Sequence, residues 1–290
     1  MISNKEIDEL VNFYISQRSQ NKIKLYIEYF KDFKQKLKNF IASKIFSFQR
    51  TNKFTKKRYD FIYEHRIIKN THLADFNDKI YEYNNKKFFA SEGLIKKIYL
   101  QTIIKSIEYT GAKNILDVGC GNGINIKIIS TVYNDTKFHG IDQSTTGIKK
   151  ANELKDMTLD EDYTQGMKNN FNFQKINKNI SFSEQDAQYL NFSDNSFDFV
   201  YTVLALEQMQ NIQTKVINEL KRVSQKYILL IEPFKNLNTS GIRYLHHQSK
   251  KYFDLNPEEI ECNHWKIEKY GSNFPNYISL KVGFLLLKKI

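Results

Sequence analysis

The chain has 290 residues, of which 41% are hydrophobic and 14% aromatic. That content excludes a disordered chain and suffices for one large domain, or one domain with a sizeable extension. Two cysteines, Cys120 and Cys262, form neither a metal-like spacing nor a disulfide framework, and no apolar run is long enough for a membrane span. Net charge is +12, and residues 1–110 carry +10 of it, with 22 Lys and Arg against 12 Asp and Glu. The first residues lack a signal peptide's basic-then-apolar order, so the expected location is cytoplasmic, or peripheral to a membrane.

Residues 5–16 and 22–46 read as helices. In the second, Ile23, Tyr26, Ile27, Phe30, Phe33, Leu37, Phe40, Ile41 and Ile45 recur at three- and four-residue steps, while Lys22, Lys24, Lys31, Lys34, Lys36 and Lys38 fill much of the rest. This is a basic amphipathic helix. Its stripe packs on the rest of the chain, on a second subunit, or on an anionic membrane surface; the lysines are also compatible with a purely compositional origin. Arg50, Lys53, Lys56, Lys57 and Arg58 extend the positive surface. Residues 1–78 are therefore expected to form a helical, basic extension, and residues 79–290 the main domain.

After a segment over 79–93 and a helix over 94–110, Ile115, Leu116 and Val118 form the apolar run of a buried strand, which ends in Gly119, Gly121 and Gly123. A strand that turns at once into a helix needs backbone angles a Cβ forbids, and a ligand there approaches the main chain closely. Dinucleotide-binding turns space their glycines G-x-G-x-x-G; here the spacing is G-x-G-x-G, with Asp117 two residues before the first glycine. A carboxylate at that position repels a pyrophosphate and attracts a cation. S-adenosylmethionine carries a sulfonium and an ammonium, and Asp117, Gly119, Cys120, Gly121 and Gly123 are its expected cradle.

A second strand, 137–142, ends in Asp142, 21 residues beyond Gly121. That step brings the end of a second parallel strand beside the first, where Asp142, with Gln143 next to it, meets ribose hydroxyls; Asp142 otherwise caps the next helix. Residues 157–178 are polar, hold Tyr163, Met167, Phe171 and Phe173, and form a lid or a surface excursion. A third strand reaches Asp186 and Ala187, and a fourth, 197–206, runs into Glu207. Where strand order reverses, between the glycine strand and the fourth strand, Thr202, Val203 and Glu207 face the ligand crevice. The next helix carries a core stripe. A fifth strand, 227–231, ends at Glu232; a helix over 241–253 holds His246 and His247; runs at 265–270 and 279–288 flank a turn and form an antiparallel closing pair.

From about residue 80 to 290, these motifs in this order resemble the class I S-adenosylmethionine-dependent methyltransferases, within them the type 11-like small-molecule branch. The run from Asp186-Ala187 to Phe197-Asp198 is similar to the family's D-A-x-x-L-P-F-x-D-x-S-F-D, with Asn191 where proline is usual. The resemblance implies an α/β fold, a Rossmann-like seven-stranded, mostly parallel sheet with an antiparallel closing strand, preceded here by the helical extension. It implies that Asp186 and the Ala187 N–H meet the adenine edge, and that Tyr81, Tyr83, Phe88 and Phe89 line the pocket, unless they are ordinary core aromatics. The implied reaction is methyl transfer to a small or medium metabolite, such as a sugar, a polysaccharide precursor or a lipid-linked acceptor. Candidate bases are Glu207, His246 and His247, and Glu232 is a candidate for holding an acceptor group. No metal is expected.

Two other readings remain. The basic arm points to RNA, where ribose or wobble-base methylation needs no special motif; Thr202-Val203-Leu204-Ala205 stands where base N-methylating enzymes carry Asp/Asn-Pro-Pro-aromatic, and neither cysteine follows a proline. Nucleic acid is the weaker partner on those grounds. The other reading is a regulatory protein that keeps the cofactor pocket without catalysis.

Overall fold

Chain order first gives three helices that pack in different ways. The structure, a computed structural model, describes residues 1–46, 51–65, 78–159, 167, 171 and 177–290. Helix α1 (Asn4–Ser16) starts at a capping box made by Ser3 and Glu6, and buries Ile7, Leu10, Val11 and Tyr14 in the main core. Helix α2 (Lys22–Ile45), capped by Asn21, rests on the body through Leu25 and through Phe40 against Tyr244. Helix α3 (Asn52–His65) completes the extension.

Strands β1 (Asp78–Tyr83) and β2 (Lys86–Ser91) form a hairpin closed by Asn84 and Asn85, both at positive φ, as a two-residue turn of the primed type requires. Helix α4 (Gly93–Thr110) leads into β3 (Asn114–Val118), α5 (Ile124–Ser130), β4 (Lys137–Asp142), α6 (Thr145–Lys155), β5 (Ile180–Glu184) and β6 (Phe197–Val203). Then come α7 (Gln213–Val223), β7 (Ser224–Glu232), α8 (Gly241–Lys250), β8 (Trp265–Gly271), the two-residue β9 (Asn276–Tyr277) and β10 (Gly283–Lys289).

Seven strands pair in the order β5-β4-β3-β6-β7-β10-β8, and β10 alone runs against its neighbours. This is the expected sheet, its antiparallel closing strand included. Side-chain alternation divides the core into two layers. Ile115, Phe199, Tyr201, Leu229, Ile231 and Leu286 face the cluster built with α1, α4 and α5, while Leu116, Val118, Val200, Ile228, Leu230, Leu285 and Leu287 face the cluster built with α7. The chain runs outward from β3 through β4 to β5, then returns to β6 on the other side of β3. That reversal opens a crevice at the strands' carboxyl ends.

A second sheet, β2-β1-β9, was not legible as such. Within the expected closing turn, Asn276 and Tyr277 pair with Glu82 and Tyr81, so the hairpin is joined to the main sheet's last connection. Helix α3 stands where the sequence shows only a cluster of positive charge. Of that cluster Arg50, and of the expected lid residues Tyr163 and Phe173, lie outside the described residues; Phe171 packs on the main core. Among the described residues, no helix is long and apolar enough to cross a membrane.

Gly123 opens α5 at φ +74°, and a Cβ on it would lie 2.5 Å from the Phe182 ring of β5. Both backbone and packing therefore refuse a larger residue. Gly123→Ala is expected to cost roughly 2–5 kcal/mol, the left-handed penalty plus overpacking, read as a lowered urea midpoint at unchanged slope.

Candidate active site

The turn after β3 is fixed by backbone and carboxylate together. The N–H groups of Gly119 and Cys120 donate to the Ile141 carbonyl at 2.8 and 2.9 Å, and the Gly121 N–H donates to Asp142 Oδ2 at 2.9 Å. Asp142 Oδ1 accepts the Ser144 N–H at 2.8 Å, and the Ser144 hydroxyl accepts from Gly147 N–H at the head of α6. Burial raises the Asp142 pKa, and the two N–H donors oppose that rise. Asp142 is thus a clamp between turn and helix, and each of its oxygens retains capacity for another donor.

A cavity of about 350 Å³ lies over this turn. Of the residues singled out in the sequence, Gly119, Cys120, Gly121, Asp142, Gln143, Asp186, Ala187, Val203 and Glu207 line it. The cavity therefore spans the carboxyl ends of β5 and β4, crosses β3 and reaches the exit of β6. Gln188 donates to Asp186 through its backbone N–H at 2.9 Å, which holds that carboxylate at the strand end.

The other expected residues stand elsewhere, each for a physical reason. Asp117 is not on the cavity wall: strand parity turns its side chain into the interior beside the Tyr201 phenol, where burial pushes its pKa up to about 8, with the Asp142 charge adding to the rise. Gly123 starts a helix rather than lining the cavity. Thr202 is fully buried and donates through its hydroxyl to Glu232 at 2.9 Å. Tyr83 points to α1, its hydroxyl donating to Asp8 at 3.0 Å, with burial and that carboxylate pushing its pKa up to about 12. Tyr81, Phe88 and Phe89 are core residues as well.

The histidines also stand away from the cavity. His247 is buried with Nε2 at 2.9 Å from the Phe253 carbonyl, and His246 packs on Tyr252, its pKa lowered to about 3 by burial and by Lys36 and Lys250. Neither lines the cavity. Glu232 is fully buried and accepts from Thr202 and from the N–H groups of Ala205, Leu206 and Glu207. It builds the loop that presents Glu207, and burial, then the Glu207 charge, pushes its pKa up to about 8.

Two walls were missed. Thr55, Tyr59, Ile62 and Tyr63 line the cavity from α3, at the four- and three-residue steps of one helical face. A Cβ on Gly121, whose φ is +57°, would lie 2.1 Å from the Tyr63 hydroxyl, so the roof touches the turn itself. Asp60 latches this roof by accepting the Ser144 hydroxyl at 2.6 Å and the Thr146 N–H at 3.1 Å, and Lys56 pairs with Glu184. On the β6 side the cavity meets Ile95, Tyr99, Met209, Ile212 and Tyr277. The Tyr99 phenol is held well above its ordinary pKa by burial, then by Tyr277, Glu207 and Glu232. Helical spacing over 55–63 was the available signal for the first wall; the second depends on the unpredicted β9.

A family model described as a methyltransferase domain matches residues 116–227. Norajmaline N-methyltransferase of Rauvolfia serpentina is 28% identical over 132 residues, which cover 44% of this chain and 39% of that relative's length. The solved structure of the [4+2]-cyclase SpnF is similar with a TM-score of 0.57 at 15% identity, covering 82% of this chain and 96% of that one. The methyltransferase domain of bacterial CtHen1-C is similar with a TM-score of 0.50 at 16% identity, covering 67% and 98%. At those identities the structures bear on the fold alone. Residues 116–227 thus match a methyltransferase domain over less than half of the chain, and the strand order built around them is that of the Rossmann-like, mostly parallel sheet these proteins share.

Proposed function

We propose that this protein transfers a methyl group from S-adenosylmethionine to a nucleophilic atom of a small or medium metabolite. One observation carries the reading: a single cavity joins the Asp142 clamp and turn at one end to Glu207, the buried Tyr99 and the half-buried Tyr277 at the other. The residues present fit the cofactor. Gly119, Cys120 and Gly121 bring the turn to the cavity wall, Asp142 has acceptor capacity for ribose hydroxyls, and Asp186 with the Ala187 N–H offers an acceptor and a donor for an adenine edge. Asp117, behind the turn, supplies a negative charge once a cation draws its proton off.

Bound there, the cofactor supplies a methyl group on positively charged sulfur, an electrophile already activated. The chain's own work is alignment and proton removal. Glu207, held in place by the Glu232-anchored loop, accepts a proton from the acceptor's nucleophilic atom. Tyr99 and Tyr277 remain neutral phenols that donate hydrogen bonds, since burial raises both pKa values. Ile95, Met209 and Ile212 give the acceptor an apolar bed, and Tyr59 and Tyr63 exclude water from above. A sugar, a polysaccharide precursor or a lipid-linked acceptor offers the required hydroxyl.

Three outcomes test this. Asp142→Ala is expected to weaken cofactor binding by about 1.5–3 kcal/mol in calorimetry, the scale of charged hydrogen bonds; an unchanged isotherm removes the ribose assignment. Glu207→Gln should lower turnover by about 10²–10⁴ while cofactor affinity stays constant, measured as labelled methyl transfer into fractionated metabolites. A variant that binds the cofactor and transfers as fast as the parent excludes Glu207 as base. If the parent binds the cofactor but labels nothing, the regulatory reading takes over.

The third outcome is a pH dependence. Free Asp117 keeps its proton up to about pH 8. A cation lowers that pKa and expels the proton on binding, so affinity rises with pH below about 8, by up to about tenfold per unit, and levels above it. Asp117→Asn should flatten the slope.

A further inference from the structure

Helix α2 keeps an apolar face in solvent that the body does not use. Taken at about 100° per residue, Ile23, Tyr26, Ile27, Phe30, Leu37, Ile41 and Ile45 fall in one arc of about 100°. They are exposed: Ile23 by 73%, Tyr26 by 65%, Phe30 by 61% and Ile45 by 69%. The helix docks on the body through the opposite side, where Leu25 is its buried residue. A lone exposed leucine means nothing, but a continuous stripe of this kind marks an interaction surface.

The charges around the stripe select its partner. Lys24, Lys31 and Lys38 follow one another every seven residues along one border, Lys34 and Lys44 lie within the arc, and all five are exposed. The helix's two acids, Glu28 and Asp32, sit on the far side and pair with Lys31 and Lys36. A second copy of this chain would set the lysine rows against their own twins across a two-fold axis, at a repulsive cost. A bilayer with anionic headgroups presents the complement: apolar side chains sink to the acyl boundary while lysine stems extend to the phosphates.

We propose that the exposed face of α2 docks in the plane of an anionic lipid surface. The C-terminal end of the helix meets the rim of the cavity there. Ser43 and Lys44 share a depression with Gln210 and Asn211, whose neighbours Met209 and Ile212 line the cavity. Docking therefore brings the β6 side of the site to the membrane. The inference stands on the helix alone and does not require the proposed reaction.

Flotation of the full chain with two vesicle types tests it: phosphatidylcholine alone, and phosphatidylcholine with about one third phosphatidylglycerol, in about 0.1 M salt. Co-flotation with the anionic vesicles, at least tenfold reduced on the neutral ones, is the expected result (roughly, for several lysines near a charged surface). Phe30→Glu and Ile41→Glu should each reduce it roughly tenfold by removing apolar burial, and Lys31→Glu/Lys38→Glu should do so by charge, with circular dichroism and melting unchanged. Absence of flotation with either vesicle overturns the proposal. So does binding that ignores both apolar substitutions and responds only to salt, which is surface adsorption. A stable dimer in sedimentation equilibrium that Phe30→Glu dissociates assigns the stripe to a second copy instead.

Discussion

The carboxylate of Asp142 joins two backbone segments, the turn after β3 and the start of α6, and the site depends on that junction. One oxygen takes the Gly121 N–H from the turn after β3, and the other takes the Ser144 N–H at the start of α6. Backbone donors in a buried turn need acceptors, and a charged acceptor answers two of them at once. Ser144 passes the link onward, its hydroxyl donating to Asp60 of α3. A helix from the N-terminal extension is thereby registered on the glycine turn, through one serine between two carboxylates. The Asp60 charge adds to the rise in the Asp142 pKa, so the same arrangement that locates the roof also loads the clamp.

Much of this was legible in the sequence, because buried parallel strands write themselves as apolar runs and their exits as acids and glycines. The ends of β3, β4, β5 and β6 carry the residues that line the cavity, and Gly119, Gly121, Asp142, Asp186, Ala187 and Val203 were found on that basis. Asp117 shows where the reading stops. Its place before the first glycine suggested a wall residue, yet Leu116 and Val118 face one layer and Asp117 the other, so alternation decides against exposure to the cavity. His246 and His247 failed for a related reason: adjacency on α8 said nothing about which sides face the body, and both turned out buried beside Tyr252. Helix α3 was hidden by its lysines, since Thr55, Tyr59, Ile62 and Tyr63 form a face too polar to stand out as a core stripe. β9, with only two residues, exists because β1 offers it a free edge, a tertiary cause that no local pattern records.

Fold likeness does not decide the reaction here, since the similar structure with a TM-score of 0.57 is that of a [4+2]-cyclase. The proposed chemistry rests on the cavity's β6 side, where this chain places Glu207 on a loop held by four donors to Glu232. An acid that supports a second acid in this way couples their charges. Ionised Glu207 raises the pKa of Glu232, so one of the pair carries the negative charge more readily than both together. Glu207 lines the cavity and Glu232 is fully buried behind it, so Glu207 is the member of the pair that a proposed acceptor would meet.

The same logic governs the cofactor side. Burial raises the pKa of both Asp117 and Asp142, the Asp142 charge adding to the rise at Asp117 and the Asp60 charge to the rise at Asp142. A pyrophosphate would gain nothing from those rises, since ionised Asp142 repels it and the protonated Asp117 offers no positive charge. On the proposed reading a sulfonium or ammonium, by contrast, favours the ionised form of Asp117 and is attracted by it. The proposed selection between anionic and cationic nucleosides therefore rests on buried carboxyl groups behind and beside the glycine turn.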